Sequence, residues 1–372
     1  MSQIVISGTG LFTPPESISN EELVECFNAW ATRYNADHAE DIEAGRLEPK
    51  PMSDAEFILK ASGIRSRHVL DKHGILDPEI MHPQLPMRGN DEPSQMCEMA
   101  IAAATQALEE AGRKPSDVDA VLCAASNMQR SYPAVAVEVQ QYLGCNGYAY
   151  DMNVACASAA FGIQAGVDAL SSGNANCVVM VNPEICSGHL NFRDRDSHFI
   201  FGDACTAVVL ERAEDASDGG FEVLGTRLKT QFSNNIRNNA GFLNRSETPQ
   251  RSDDDRLFIQ EGRKVFKDVV PMVVTLISEH LADNGLEPSA VRRFWLHQAN
   301  LNMNQLISKR LLGRDPSEEE APVVLDEYAN TSSAGSVIAF HKHKAGLAAG
   351  DVAVLCAFGA GYSAGSVILR QR

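Results

Sequence analysis

Positive charge is scarce in this chain: 32 Lys and Arg stand against 49 Asp and Glu, a formal net charge of −17 over 372 residues. A phosphate backbone would be repelled, so nucleic acid is excluded as a general partner. Long apolar runs are also missing. No stretch approaches membrane-spanning length, and the start, Met-Ser-Gln-Ile-Val-Ile-Ser-Gly, has no basic region followed by an apolar one. The expectation is a cytoplasmic protein with no membrane contact. The nine cysteines, an odd number, include no Cys-x-x-Cys pair, and the histidines form no tight cluster. That argues for reduced thiols and against a disulfide framework or a metal site. His341 and His343, two apart, would point away from each other on a helix and are not read as ligands.

What remains is ordinary for an enzyme: 44% apolar and 22% charged residues, enough to bury a large core. Strand patterns fall at Ile4–Leu11, with Gly8 and Gly10 closing it, and at Val118–Ala125, Cys177–Asn182, Gly202–Glu211 and Phe221–Lys229. Helical spacing falls at Glu21–Tyr34, Ala55–Gly63, Ser94–Gly112 and Ala134–Gly144. This alternation predicts an α/β protein with parallel pairing. Two segments stand apart: 40–52, acidic then proline-rich, and 73–93, whose prolines and glycines predict a long irregular excursion. Ser187–Phe199 is polar and reads as a loop.

The chain also resembles itself. The run from Ala107 lies over the run from His280 at an offset of 173, with Gly112 on Gly285, Pro115 on Pro288, Ser116 on Ser289 and Val118 on Val291. At 174, Cys156 falls on Asn330; at 175, Val178–Val181 falls on Ala353–Cys356. Two similar halves are the simplest account. Pseudo-twofold packing would bring the turns at Cys156, His297, Asn330 and Phe358–Tyr362 towards one place.

Each of these positions has a chemical use and a plainer one. Cys156 sits among small residues where a strand pattern gives way to a helix pattern, and a helix N-terminus there would lower its pKa and favour the nucleophilic thiolate. It could equally be a small buried hydrophobe. His297, in Phe294-Trp-Leu-His-Gln-Ala-Asn300, ends an apolar strand and could be structural; Asn330 could be a helix cap, and Phe358-Gly-Ala-Gly-Tyr362 a tight turn. Together they meet one demand. A thiolate takes an acyl group, two neutral donors stabilise an enolate formed by loss of carbon dioxide, and backbone amides hold an oxyanion.

With Ser62-Gly-Ile-Arg-Ser-Arg67 and Phe201-Gly-Asp203, these motifs resemble the Cys-His-Asn set of β-ketoacyl-acyl-carrier-protein synthase III, of the thiolase-fold superfamily, over nearly the whole chain. The resemblance implies a five-layered αβαβα fold of two pseudo-symmetric halves, 1–212 with the nucleophile and the insertions near 40–52 and 73–93, and 213–372 with His297 and Asn330. It implies a homodimer that condenses an acyl-CoA primer with malonyl-acyl-carrier protein in fatty acid synthesis, with no cofactor. Cys156 would take the acyl group, His297 and Asn330 promote decarboxylation, and the amides of Cys156 and Ala360 form the oxyanion hole. Arg195 matches the adenine-stacking arginine, Asn300 the pantetheine-contacting asparagine, and Tyr132 the aromatic position at the dimer interface. Lys267, Lys309 and Arg310 match basic carrier-docking positions.

The chain departs from the family pattern at Phe57 and Ala61, where a tryptophan and an arginine often hold the CoA nucleotide, and at Asn302, commonly arginine. The insertions are expected to reshape the entrance or the dimer contact and to accompany a primer longer than acetyl. Cys356 lies in an apolar strand, unlike the second cysteine of degradative thiolases, and Asn330 stands where elongating ketosynthases have a second histidine. The rival readings are a ketosynthase or acyltransferase of secondary metabolism, and a non-catalytic acyl-binding partner subunit.

Overall fold

The computed structural model describes residues 3–372. Nine strands form the main sheet: β1 (Ile4–Phe12), β2 (Ala120–Ala124), β3 (Tyr148–Met152), β4 (Cys177–Glu184), β5 (Ala204–Arg212), β6 (Phe221–Ser233), β7 (Val291–Leu296), β8 (Val352–Gly359) and β9 (Gly361–Gln371), in the spatial order β7-β8-β9-β6-β1-β5-β4-β2-β3. That order contains the same motif twice. In the first half β1, β5 and β4 pair antiparallel in turn and β4 pairs parallel with β2; in the second, β6, β9 and β8 pair antiparallel and β8 pairs parallel with β7. The halves meet edge to edge only where Val5 and Ile6 of β1 pair with Glu222 and Phe221 of β6.

Helices make the other layers. Helices α3 (Gln95–Ala111) and α4 (Val135–Leu143) cover the outer face of the first half, and α6 (Gly262–Asp283) and α7 (Leu301–Leu312) that of the second. Between the two halves of the sheet lie α5 (Ser158–Ser171) and α8 (Ala334–His343), whose apolar sides join residues of both halves in one core. Five layers result, with the central helices apolar almost all round as a doubly covered helix must be. A fourth cluster packs α1 (Asn20–Asp37) and α2 (Ala55–Ser62) over the segment 186–201 as a cap at one end. Local sequence supports these boundaries: Ser19 and Glu22 form a capping box at α1, and Asp54 and Ser94 cap α2 and α3.

Several expectations are corrected. Gly8 and Gly10 do not close the first strand, which runs on to Phe12. They let α3 lie against it, because a Cβ at either would sit 2.0 Å from the Ala107 carbonyl oxygen or 1.9 Å from that of Ala103. The 73–93 excursion begins with a helical turn, Lys72–Ile75, capped by Asp71, before becoming irregular. The stretch from Ser187 to Phe199 is the polar loop expected, with Arg193, Asp194 and Asp196 exposed, yet Leu190, Phe192, Ser197, His198 and Phe199 are buried in the cap. Polar side chains there serve the fold, as where His198 meets the Ser53 hydroxyl at 3.1 Å.

Candidate active site

Segments from both halves of the chain and from the cap line one cavity of about 210 Å3. Cys156, His297 and Asn330 all line it, with Phe199, Phe201, Phe258, Phe266 and Phe358 supplying much of the apolar wall. A larger cavity, about 550 Å3, lies beneath the 85–92 stretch of the excursion and holds none of the three. The smaller one holds all three residues that the sequence motifs single out.

Cys156 lies in a single 3-10 turn, Ala155–Ala157, that runs directly into α5. Ala155 has φ of +48°, so the chain enters the turn through the left-handed region and presents the thiol to the cavity. The sulfur accepts a hydrogen bond from the Ser332 hydroxyl at 3.3 Å. The amides of Cys156 and Ala360 face it and favour its ionised form. Burial nevertheless prevails and pushes the thiol up to about 11. The expectation of a lowered pKa is thus corrected: the helix end is present, but the desolvated cavity outweighs it. Gly359 is required beside the sulfur, since a Cβ there would lie 2.6 Å from the Cys156 Cβ.

His297 follows β7, and its amide donates to the Cys356 carbonyl at 2.8 Å, fixing it at the end of the parallel pair β7–β8. Its ring stands edge-on to Phe358, centroids 5.3 Å apart. Burial holds it down at about 4, so it is a neutral imidazole near pH 7. Asn330 is pinned by its backbone, donating to Ile200 at 3.0 Å and accepting from Gly202 at 3.2 Å. Its side-chain oxygen accepts the Ser332 amide at 2.9 Å, which leaves the NH2 as the donor available to the cavity. It is not a helix cap, since α8 begins at Ala334.

The outlying candidates separate into three groups. Arg195 lies with its guanidinium 4.6 Å from the Phe57 ring centroid, and its Nε donates to the Met52 carbonyl at 2.8 Å. The end of the 40–52 insertion therefore reaches Arg195, which does not itself line the cavity but precedes Asp196, which does. Asn300 caps α7, donates to the Ala61 carbonyl at 2.8 Å and lines the cavity. Lys267, Lys309 and Arg310 are exposed on α6 and α7, with Lys309 paired to Asp315 at 2.9 Å. Tyr132 is 85% exposed and far from enclosed. Among the described residues no group of three His, Cys, Asp or Glu could hold a metal ion, and no helix is long and apolar enough to cross a membrane.

Two groups were not singled out from the sequence. Ser332, the hydrogen-bond donor to the sulfur, has φ of +48°. Glu184, at the end of β4, is a buried carboxylate whose oxygens accept from the Ser126 amide at 2.9 Å and the Ser333 amide at 3.1 Å. The serine run after Asn330 was a signal for the first; nothing in Val-Asn-Pro-Glu marked the second.

Family profiles for 3-oxoacyl-[acyl-carrier-protein] synthase III match residues 150–231, and for its C-terminal part 281–371. The chain is 63% identical over 349 residues, 94% of its own length and 100% of the relative's, to the β-ketodecanoyl-[acyl-carrier-protein] synthase of Pseudomonas aeruginosa. Among solved structures, 3-oxoacyl-[acyl-carrier-protein] synthase III of Aquifex aeolicus superimposes with a TM-score of 0.77 at 25% identity, covering 99% of each chain. The priming β-ketosynthase of the R1128 polyketide pathway superimposes with a TM-score of 0.76 at 25% identity, covering 99% of this chain and 96% of that one. The cavity that joins Cys156, His297 and Asn330 thus stands on a shared architecture, and the chain belongs to the β-ketoacyl-acyl-carrier-protein synthase III family of thiolase-fold condensing enzymes.

Proposed function

We propose that the protein condenses a medium-chain acyl primer, delivered as its CoA thioester, with malonyl-acyl-carrier protein to give a β-ketoacyl-carrier protein. The observation that supports this best is the single cavity wall shared by Cys156, His297 and Asn330, with the amides of Cys156 and Ala360 facing the sulfur. In the first half-reaction the Cys156 sulfur attacks the primer thioester and CoA leaves as the thiol. The proton lost by Cys156 is the one the departing CoA sulfur takes up, so the step balances without a strong base. The amides of Cys156 and Ala360 would stabilise the tetrahedral oxyanion.

In the second half-reaction the malonyl thioester loses carbon dioxide. His297 and the Asn330 NH2 donate to the thioester oxygen as enolate charge builds, the carbanion attacks the acyl-cysteine carbonyl, and Cys156 is released. Only thiol, imidazole and amide groups take part, so the scheme calls for no cofactor. A neutral His297 can present a ring N–H to the thioester oxygen without bringing an unpaired charge into the apolar cavity.

Primer length rests on the relative from P. aeruginosa: a β-ketodecanoyl product less the carbons from malonate leaves an eight-carbon primer. The phenylalanine-rich wall is consistent with an alkyl chain. Phe57 and Arg195 sit where the resemblance puts the CoA nucleotide and are stacked on each other; a base entering between them must part them. The cations of α6 and α7 offer a local basic face to an acidic carrier despite the overall negative charge. A homodimer is favoured by β3, an edge strand that leaves Tyr148 and Tyr150 exposed, with Tyr132 and Val137 also exposed. Incubation with acyl-CoAs from acetyl to dodecanoyl, read by intact-protein mass, should show one acyl increment centred near octanoyl and absent in Cys156→Ala. No increment from any acyl-CoA would sink CoA delivery. The likeness to the R1128 priming ketosynthase keeps a polyketide-type priming role as the second reading, and equal turnover with malonyl-CoA and malonyl-carrier protein would favour it.

A further inference from the structure

We infer that Glu184 is the positioning residue that aligns the nucleophile's turn with the Asn330 turn, through two hydrogen-bonded arms that close around Cys156. The inference rests on the catalytic reading above but names a group outside the Cys-His-Asn set.

One arm runs through the first half. The Glu184 carboxylate accepts from the Ser126 amide at 2.9 Å and from its hydroxyl at 2.5 Å. The Ser126 carbonyl accepts from the Asn153 side chain at 2.8 Å, and the Asn153 oxygen accepts the Ala155 amide at 2.9 Å. Ala155 precedes the nucleophile. The other arm runs through the second half. Glu184 accepts from the Ser333 amide at 3.1 Å and from its hydroxyl. The neighbouring Ser332 donates its amide to the Asn330 side chain and its hydroxyl to the Cys156 sulfur.

A side chain of this kind is costly to keep. Glu184 is 1% exposed and forms no ion pair among the described residues. An uncompensated buried carboxylate is expensive unless donors surround it. Here the donors are Ser126 and Ser333, one on each arm, with the Cys186 thiol at 3.8 Å, so closing the two arms is most of what satisfies the charge. Its charge also opposes ionisation of Cys156, while burial raises its own pKa. The carboxylate therefore leaves a signature on the thiol that a neutral spacer would not.

Two substitutions separate position from charge. In Glu184→Gln the amide oxygen can keep the Ser126 and Ser333 amides while its NH2 donates to the Ser126 hydroxyl. Decarboxylation of malonyl-carrier protein should stay within about threefold of wild type, and the pH midpoint for alkylation of Cys156 by iodoacetamide should move down. In Glu184→Ala both arms are released. Decarboxylation should fall on the order of a hundredfold, as misplacement of a reacting group does, while acylation of Cys156 falls less. Ser333→Ala, which keeps the amide, should lie between them. A Gln variant as impaired as Ala with an unmoved alkylation midpoint would overturn the proposal. So would Ala losing acylation and decarboxylation equally. Alkylation needs no substrate, so it tests Glu184 even if wild type accepts no acyl group, a result that would fail the catalytic reading alone.

Discussion

The turn at Cys156 and the turn at Asn330 are the same device used twice. Each is entered through an alanine with positive φ, Ala155 at +48° and Ala329 at +54°. Each then leads into a central helix, α5 or α8. They differ in what the device presents. The first sets a sulfur at the head of α5 under the Cys156 and Ala360 amides; the second sets a carboxamide whose oxygen is occupied by Ser332 and whose NH2 is free. A repeated backbone thus delivers a thiol from one half and an amide donor from the other, the two groups that the proposed condensation requires.

The largest test of that division is by side chain. Cys156→Ala should abolish acylation and condensation together. Asn330→Ala and His297→Ala should retain acylation yet slow decarboxylation by about a hundred- to a thousandfold, the usual loss on removing a donor to a developing oxyanion. Equal loss of acylation in all three would mean that the two turns do not have separate tasks. Next in size, Gly359→Ala should block acylation at Cys156 while leaving the fold intact by circular dichroism, because the new methyl would collide with the cysteine and not with the Asn330 turn.

Proton binding gives a further effect. Burial holds His189, His198, His280 and His297 each at about 4, against an ordinary 6.5. Between those limits the unfolded chain binds more protons, so their contribution to stability is present above 6.5 and is lost as pH falls towards 4. Asp203, raised to about 6 by burial, works in the opposite sense below that value. Denaturant midpoints should decline as pH falls from 7 to 5, and His297→Gln should flatten the slope in proportion to its share. The smallest effect concerns the backbone. Ala155→Gly and Ala329→Gly should each stabilise by about 1 kcal/mol, by relieving an alanine held at positive φ. A gain at only one would show that the turns are not equivalent.

Much of this comparison was legible in the sequence. Cys156, Asn330 and the glycine loop sit in short local motifs, and offsets near 174 aligned the halves before any strand was paired. The strand at Ile4 was legible too, but not the reason for Gly8 and Gly10, since their constraint is the backbone of α3 roughly a hundred residues on. The thiol's pKa was misjudged for a related reason: a helix end is local and readable, whereas burial depends on the Phe201, Phe258 and Phe358 walls brought in from distant segments. Glu184 was invisible because its donors, Ser126 and Ser333, come from both halves and announce themselves only when the chain is folded.

The narrow seam between β1 and β6 carries a consequence for how the protein comes apart. Only Val5 and Ile6 bridge the halves through the sheet, but α5 and α8 each bury themselves against strands of both. Neither half can lose its inner helix without uncovering the other's strands, so the repeats are not independent folding units in spite of their likeness. Likeness has given way to mutual dependence: the protein should melt in a single calorimetric transition, because a form that keeps one half native would leave that half's inner strands uncovered.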